Sequence, residues 1–220
     1  MEKENRSFSR REMLGMSVGL TGLAIAGSVF GQMRTGTPEV QMGPFYPVLK
    51  PLDQDADLTM INGSRKRAEG KIVHVLGQVV NESGKPVSGA RIEIWQANAA
   101  GRYTHSGDPN KAPLDPNFTG FGIVTTDSEG RYRFKTIKPG PYPISPTEKR
   151  TPHLHVDIMG KHDHLVSQMF FPDEPMNEPD IVWKQMGPNR TAAVAKALPA
   201  TKEIEADAIL LNWDIVLYKG

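Results

Sequence analysis

Short segments of alternating apolar and polar residues, separated by turns rich in Gly and Pro, recur from residue 71 to the end of the chain. Neighbouring side chains on a strand point to opposite faces, so this period of two is typical of half-buried β-strands. The segments are KIVHVLGQVV, RIEIWQA, GFGIVTTD, YRFKTI, LHVDIMG, LVSQMFF and AILLNWDIVL. Many short strands joined by turns predict an all-β fold, and in particular a β-sandwich.

Two other stretches of the chain do not follow this pattern. Residues 37–61 are rich in Pro and Asp and lack sustained periodicity, which predicts an irregular N-terminal arm lying over the domain surface. Residues 189–206 have the one helical pattern of any length, and Pro199 interrupts it.

The first 35 residues differ in composition from the rest. Arg10 and Arg11 precede an apolar run, rich in Gly and Ala, from Met13 to Phe30. This pattern predicts a twin-arginine signal over residues 1–35, recognised by the Tat export machinery, and a periplasmic or otherwise exported protein. A membrane-anchoring helix is the alternative, but the run is barely long enough to span a membrane and contains glycines. Residues 36–220 are then expected to form one domain without a stable membrane span.

The charge balance and the absence of cysteine exclude several kinds of partner and site. Lys and Arg number 26 against 25 Asp and Glu, a net charge of +1, so no basic footprint favours nucleic acid or an anionic membrane. The chain has no Cys, which excludes disulfides and thiolate ligands. A metal here must therefore be held by His, carboxylate, Tyr or water.

The stretch RTPHLHVDI, residues 150–158, places His153 and His155 two apart on a predicted strand. Both imidazoles then point to the same face, where they could hold one metal ion. The pair alone is equally compatible with two hydrogen-bonded structural histidines. A second pair, His162 and His164, lies among turn residues and is interpreted as part of a solvated loop.

Four segments together carry a resemblance to a known family. They are GPFYP at 43–47, AGRYTH at 100–105, APLDPNFTGFG at 112–122 and RTPHLH at 150–155. In combination they resemble the intradiol ring-cleavage dioxygenases, the family of protocatechuate 3,4-dioxygenase and catechol 1,2-dioxygenase. The resemblance runs from about Met42 to the DIVL near the C-terminus.

The resemblance implies a non-haem Fe(III) site. Carried over by motif, its ligands would be Tyr103 of GRYTH, Tyr142 of KPGPYP, and His153 and His155 of PHLH. Phenolate is a hard, strongly donating anion that suits ferric iron. The choice of these two among the 5 tyrosines rests on the resemblance alone.

The resemblance also implies a reaction, the cleavage of a catechol by O2 to a cis,cis-muconate-type dicarboxylic acid. Tyr142 would leave the metal as the catechol binds and take up a proton. Arg150 would stabilise negative charge on the ring, with a surface ion pair to Glu148 as its alternative role, and Gln168 would hydrogen-bond near the metal.

The resemblance also implies which residues line the substrate pocket. Phe45, Tyr46 and Ile144 are expected to line a partly apolar substrate pocket, and Ile144 replaces the Trp of protocatechuate enzymes, which leaves the ring substituents open. Trp95 and Phe121 are interpreted as core residues. A homo-oligomer is compatible with all of this.

The strand and turn pattern alone also fits a different class of protein. A transthyretin-like or carboxypeptidase-regulatory-like module, with a prealbumin or immunoglobulin type of sandwich, would be a non-catalytic binding domain of the cell envelope. In that interpretation Gly84 and Gly130 serve only turns that need positive φ. A third hypothesis keeps the metal but assigns it another oxidation or simple metal binding.

Overall fold

The computed structural model describes residues 33–220, so the predicted export signal lies outside the described residues except for its last three positions. The strands and helices are, in chain order, β1 (Ile72–Asn81), β2 (Arg91–Trp95), β3 (Phe121–Thr125), β4 (Arg131–Ile137), β5 (Tyr142–Pro143), β6 (Lys149–Arg150), β7 (His153–Met159), β8 (His164–Phe170), α1 (Ile181–Gln185), a 3-10 helix (Gly187–Ala193), β9 (Lys196–Leu198), β10 (Ile209–Asn212) and β11 (Ile215–Leu217). The predicted all-β fold is confirmed.

The first sheet is built around the long strand β1. It pairs antiparallel with β4, and parallel with β10 over residues 73–76 and with β11 over residues 79–81. The short strand β9 continues this sheet beside β10. The predicted single segment AILLNWDIVL is thus two strands, β10 and β11, which pair with successive parts of β1.

The second sheet is antiparallel and has the strand order β3-β2-β7-β8. Its register places His155 opposite Trp95 of β2 on one side and Gln168 of β8 on the other. The small ribbon of β5 and β6 comes just before β7 in the chain.

A hydrophobic cluster between the two sheets holds them together as a sandwich. Valines of β1 and aromatic residues of β4 share this cluster with aliphatic residues of β2, β7 and β8. The sandwich core thereby covers the inner face of each sheet.

The strand β7 is buried on both faces, and this positions the site. Because side chains alternate along a strand, Leu154, Val156 and Ile158 enter the sandwich core while His153 and His155 point to the opposite face of the sheet. That outer face carries a second buried cluster. Its members are Trp95, Ala97, Tyr103, Phe121, Tyr142 and Val166, packed against Met42, Phe45, Tyr46 and Ile123.

The helical prediction for residues 189–206 was largely wrong. The α-helix α1 lies before this stretch, and only the 3-10 helix overlaps its start. Residues Lys196–Leu198 instead pair with β10 at the sheet edge, so strand pairing overrides the helix propensity of the Ala-rich segment. Asp180 begins α1 by accepting hydrogen bonds from the backbone N–H of Val182 and Trp183. Among residues 33–220, no helix has the length and apolarity needed to cross a membrane.

The smaller local predictions had mixed outcomes. Gly84 and Gly130 have φ of 81° and 72°, as expected for their turns. His162 lies exposed in a turn, also as expected. His164, however, is the first residue of β8, where it pairs with Met159 of β7, and its Nε2 lies 2.6 Å from Asp157 Oδ1.

Candidate metal centre

His153 and His155 meet on the outer face of β7, as the sequence predicts. Both are buried, and their Nε2 atoms lie 3.1 Å apart. His153 Nδ1 donates a hydrogen bond to the Thr151 carbonyl at 2.6 Å, so its Nε2 carries the free lone pair. This nitrogen is therefore prepared to bind a metal ion.

Two tyrosines, one from a loop and one from the short strand β5, reach the same point. The Tyr103 hydroxyl lies 3.0 Å from His155 Nε2, and the rings of Tyr103 and Tyr142 meet edge to face at 5.3 Å. The structure thus brings together all four residues of the predicted ligand set. Tyr132, by contrast, donates its hydroxyl proton to the Trp213 carbonyl, on the other side of the second sheet.

Backbone packing holds the loop of Tyr103 against the segment that leads into β5. Gly101 has a φ of 77°, and a Cβ there would lie 2.3 Å from the Pro141 carbonyl oxygen. The Asp108 carboxylate accepts a hydrogen bond from the Tyr103 backbone N–H at 2.7 Å. Only glycine allows this approach, which places Tyr103 beside the strand that carries Tyr142.

The burial of the four side chains determines their charge state. Burial lowers the pKa of the His153 and His155 imidazoles well below its usual value, and the nearby Arg150 guanidinium adds to this. Burial raises the pKa of the Tyr103 phenol well above its usual value, with Tyr142 adding to the effect. It also raises the pKa of Tyr142, which Arg150 partly opposes. The imidazoles are thus neutral donors, and the phenols ionise only beside a strongly charged cation.

The chemistry of this donor set fits ferric iron. Residues 33–220 contain no group of three or more His, Cys, Asp or Glu side chains that could hold a metal ion, so a metal bound here needs the two phenols. Two phenolates and two neutral imidazoles favour a hard, highly charged metal over zinc. The residues present therefore fit the iron that the resemblance implies.

Arg150 lies beside the donors and is not a surface residue. Its Nε donates to Asp180 Oδ2 at 2.9 Å, its Nη2 donates to Gln168 Oε1 at 2.6 Å, and its Nη1 lies 3.5 Å from the Tyr142 hydroxyl. The alternative of a surface ion pair with Glu148 is wrong, because the guanidinium is buried against a buried carboxylate.

The sequence interpretation missed Asp180. This carboxylate accepts from Arg150, from the backbone N–H of Thr151, and from two N–H groups at the start of α1. It therefore joins α1 to the segment that leads into His153. An Asp directly before IVWKQ is a helix N-cap signal, which could have identified it.

Trp95 is buried as predicted, but it also packs on a predicted ligand. Its ring stacks on the His155 imidazole, with centroids 4.8 Å apart and planes at 14°. Its Nε1 has no hydrogen-bond partner among the described residues. Phe121 belongs to the same cluster.

The three predicted pocket residues have different surroundings. Phe45 packs on Tyr103 and Tyr142, at centroid distances of 4.8 and 6.0 Å. Tyr46 lies behind Trp95, and its hydroxyl donates to the buried Glu93. Ile144 is exposed beyond β5 and does not line the cleft described below. The prediction for Ile144 came from its motif position after PYP, where the family it resembles has Trp, and a motif position does not determine how the turn folds.

A cleft of about 720 Å³ adjoins the donors. It is lined by Arg150 and Gln168, which contact Tyr142 and His155 respectively, by arm residues 39–44, and by Val166, Val182 and Gln185. The arm passes close to the site, since a Cβ on Gly43 would lie 3.4 Å from His155 Cε1. A cleft of this size accommodates a small aromatic molecule.

Comparisons with known proteins identify relatives for most of the described chain. A family model described as a dioxygenase matches residues 41–219. The protocatechuate 3,4-dioxygenase beta chain of Burkholderia cepacia is 40% identical over 183 residues, covering 80% of this chain and 77% of that protein. The hydroxyquinol 1,2-dioxygenase of Rhizobium sp. (strain MTP-10005) is 33% identical over 129 residues, covering 52% of this chain and 42% of that protein.

A solved structure supports the same relationship. The dioxygenase domain of a dioxygenase and carbohydrate-binding protein fusion from Streptomyces sp. SirexAA-E has a TM-score of 0.62 and 26% sequence identity. The match covers 84% of this chain and 99% of that chain.

Proposed function

The chain belongs to the intradiol ring-cleavage dioxygenases, a family of oxidoreductases, and from that premise we propose that it uses non-haem Fe(III) to cleave a catechol with O2. The proposed product is a cis,cis-muconate-type dicarboxylic acid. One observation carries the proposal, namely the convergence of Tyr103, Tyr142, His153 and His155 beside a cleft. The alternative of a non-catalytic binding module has no comparable support.

Four side chains would hold the iron, and their roles would differ. Tyr103, His153 and His155 would remain bound throughout. Tyr142 would yield its position to a catechol oxygen and carry one catechol proton on its Oη. When bound, ferric iron would act as a Lewis acid that binds both catechol oxygens and activates the ring toward dioxygen.

Arg150 would stabilise negative charge that develops on the substrate ring. Its guanidinium is permanently charged and cannot act as a base, which suits an electrostatic role. Asp180 and Gln168 each fix one side of its fork, so the remaining edge is turned toward the Tyr142 hydroxyl. Such an arrangement needs no reorganisation at the moment of reaction.

The visible absorption spectrum tests this proposal most directly. We expect ferric loading to give a tyrosinate-to-iron charge-transfer band, and anaerobic catechol to shift that band as Tyr142 is displaced. Tyr103→Phe should abolish or strongly reduce the band, whereas Tyr132→Phe, which removes a buried hydroxyl in the sandwich core, should retain it. A protein that stays colourless after ferric loading contradicts the proposal.

Ring opening is the second half of the test. With ¹⁸O2, the product should gain both labelled atoms and the carbon–carbon bond between the two hydroxyl-bearing carbons should be cleaved. Incorporation of a single labelled atom would point to a different oxidation at the same metal site.

We also propose that the folded protein is exported by the Tat machinery to the periplasm. Arg10 and Arg11 ahead of the apolar run support this. Replacing both by Lys should retain the protein in the cytoplasm, as cell fractionation would show, and unchanged export would contradict the proposal.

A further inference from the structure

We propose that the cleft beside the four donors selects catechols whose ring carries no negative charge, that is, unsubstituted, alkyl-substituted or hydroxyl-substituted catechols. This inference rests on the proposed function and specifies the substrate class of the same site. It is carried by the charges that line the cleft.

Apart from Arg150, which is paired with Asp180, the described lining of the cleft presents one carboxylate and no cation. Of the described residues that line it, only Glu39 and Arg150 carry a charge. Glu39 is exposed on the arm at the cleft's edge. The other polar side chains at the rim, Gln41 and Gln185, are neutral amides.

Arg150 is already engaged and does not offer a fork to a carboxylate. Its Nε and Nη2 donate to Asp180 and Gln168, and its Nη1 is directed to Tyr142. The fully buried Asp180 balances its charge at 2.9 Å. Recognition of a carboxylate usually takes a free guanidinium fork or an ammonium group, and the cleft lining supplies neither.

The cleft adjoins the four donor side chains, so the charges of its lining would act on a bound substrate. Arg150 and Gln168 contact Tyr142 and His155 and also line the cleft, so both groups mark the boundary between the donors and the cleft. A catechol with its two oxygens on the donors would extend its ring past this boundary. Its ring substituents would then enter the cleft, whose lining includes Val40, Val166 and Val182.

A carboxylate in these surroundings would lose hydration without gaining a partner. Desolvating an anion without a compensating cation is strongly unfavourable, and Glu39 adds like-charge repulsion that salt screens only in part. An uncharged substituent meets aliphatic side chains and two amides, which suit an alkyl group or a hydroxyl.

Paired ring isosteres test this inference by binding alone. Anaerobic calorimetric titration of the iron-loaded protein would compare 3,4-dihydroxybenzoate with 3,4-dihydroxybenzamide, which has nearly the same shape without the charge. We expect the amide to bind at least about tenfold more tightly at low salt, with the ratio narrowing as salt is added. Equal binding, or tighter binding of the benzoate, would overturn the inference.

Charge reversal at the cleft edge provides the matched variants. Glu39→Arg should move the benzoate-to-amide affinity ratio toward the benzoate by about tenfold. Glu203→Arg makes the same change of charge at an exposed acid between β9 and β10, outside the cleft lining, and should leave the ratio unchanged. Equal responses of the two variants would mean that net charge acts without the cleft, and would also overturn the inference.

The outcomes separate this inference from the proposed function. Amide-selective binding without ring opening would refute the function and keep the selectivity. Ring opening with a preference for the benzoate would do the reverse, and failure to bind either ligand would overturn both.

Discussion

Trp95 shows how one residue can belong to a buried cluster and also determine the geometry of a site. It lies opposite His155 in the sheet register, and its ring stacks on that imidazole at 4.8 Å. The Tyr46 ring packs edge to face on Trp95, with centroids 5.1 Å apart, and its hydroxyl donates a hydrogen bond to Glu93. Glu93 in turn accepts from Lys50 Nζ at 2.7 Å. A column of packed rings thereby restrains the tilt of His155, which we infer makes Trp95 a positioning residue.

Substitution of Trp95 should weaken iron binding through His155, in addition to lowering the stability of the fold. For Trp95→Leu we expect weaker iron retention and a shifted visible charge-transfer band, together with a loss of about 2–4 kcal/mol in the free energy of unfolding. Trp95→Phe keeps an aromatic face and should restore much of the spectrum. Iron content after dialysis against a chelator and the absorption spectrum measure this.

The control is a tryptophan that does not contact the donors. Trp213 lies in the sandwich core, so Trp213→Phe should lower stability without moving the band. A spectrum of Trp95→Leu identical to that of the wild type would contradict the positioning role.

The strand β1 illustrates how much one element depends on close backbone contact. Residues 213 and 214, between β10 and β11, bring the Trp213 carbonyl close to β1, and this carbonyl accepts a hydrogen bond from the Tyr132 hydroxyl of β4 at 2.6 Å. A Cβ on Gly77 would lie 1.9 Å from that carbonyl oxygen. The junction of three strands therefore requires glycine at this position because of close approach, since Gly77 is not among the glycines with positive φ.

Adding one methyl group at this junction should separate the strands. Gly77→Ala is expected to lower the free energy of unfolding by about 2–4 kcal/mol, because backbone rather than a flexible side chain must move. Denaturant unfolding measures the change. Gly36→Ala is the matched control, since its Cβ would meet only the Glu82 side chain at 3.7 Å, and its effect should be small. Equal stability of the two variants would show that the junction relaxes freely.

At the scale of the whole molecule, the loop between β9 and β10 is fastened to the first sheet by charge. Glu205 lies 2.7 Å from His74 Nε2 on β1 and 2.8 Å from Lys135 Nζ on β4. The hydrogen bonds from Lys135 and then from His74 lower the pKa of this carboxyl from 4.5 to about 2. Because the pKa in the folded state is below that in the unfolded chain, the contribution to stability is present above pH 4.5 and is lost as the pH falls toward 2.

This linkage predicts a pH-dependent stability difference. Glu205→Gln should lower the free energy of unfolding at pH 7 by about 1 kcal/mol, a discounted figure because the side chain is partly exposed and water screens the pair. The difference from wild type should shrink as the pH falls below about 4.5, as urea unfolding at several pH values would show. Glu203→Gln removes an acid of the same loop that forms no ion pair with residues 33–220, and should give no such trend. A difference independent of pH would contradict the linkage.

The sequence alone determined β1 to β4, β7 and β8, and the shared face of the two histidines. Period-two patterning and turn glycines specify β-strands locally, and a spacing of two places His153 and His155 together for the same geometric reason. The family resemblance supplied Tyr103 and Tyr142, which no local pattern distinguishes from the other tyrosines.

Only the tertiary structure decided what surrounds these residues. Trp95 on His155, Asp180 on Arg150 and the arm over the outer face are contacts between segments far apart in the chain. The strand at Lys196–Leu198 likewise exists because β10 offers it a pairing edge, against the helical preference of its own residues. Periodicity reports which face of an element is buried, but packing between distant elements determines which side chains meet there.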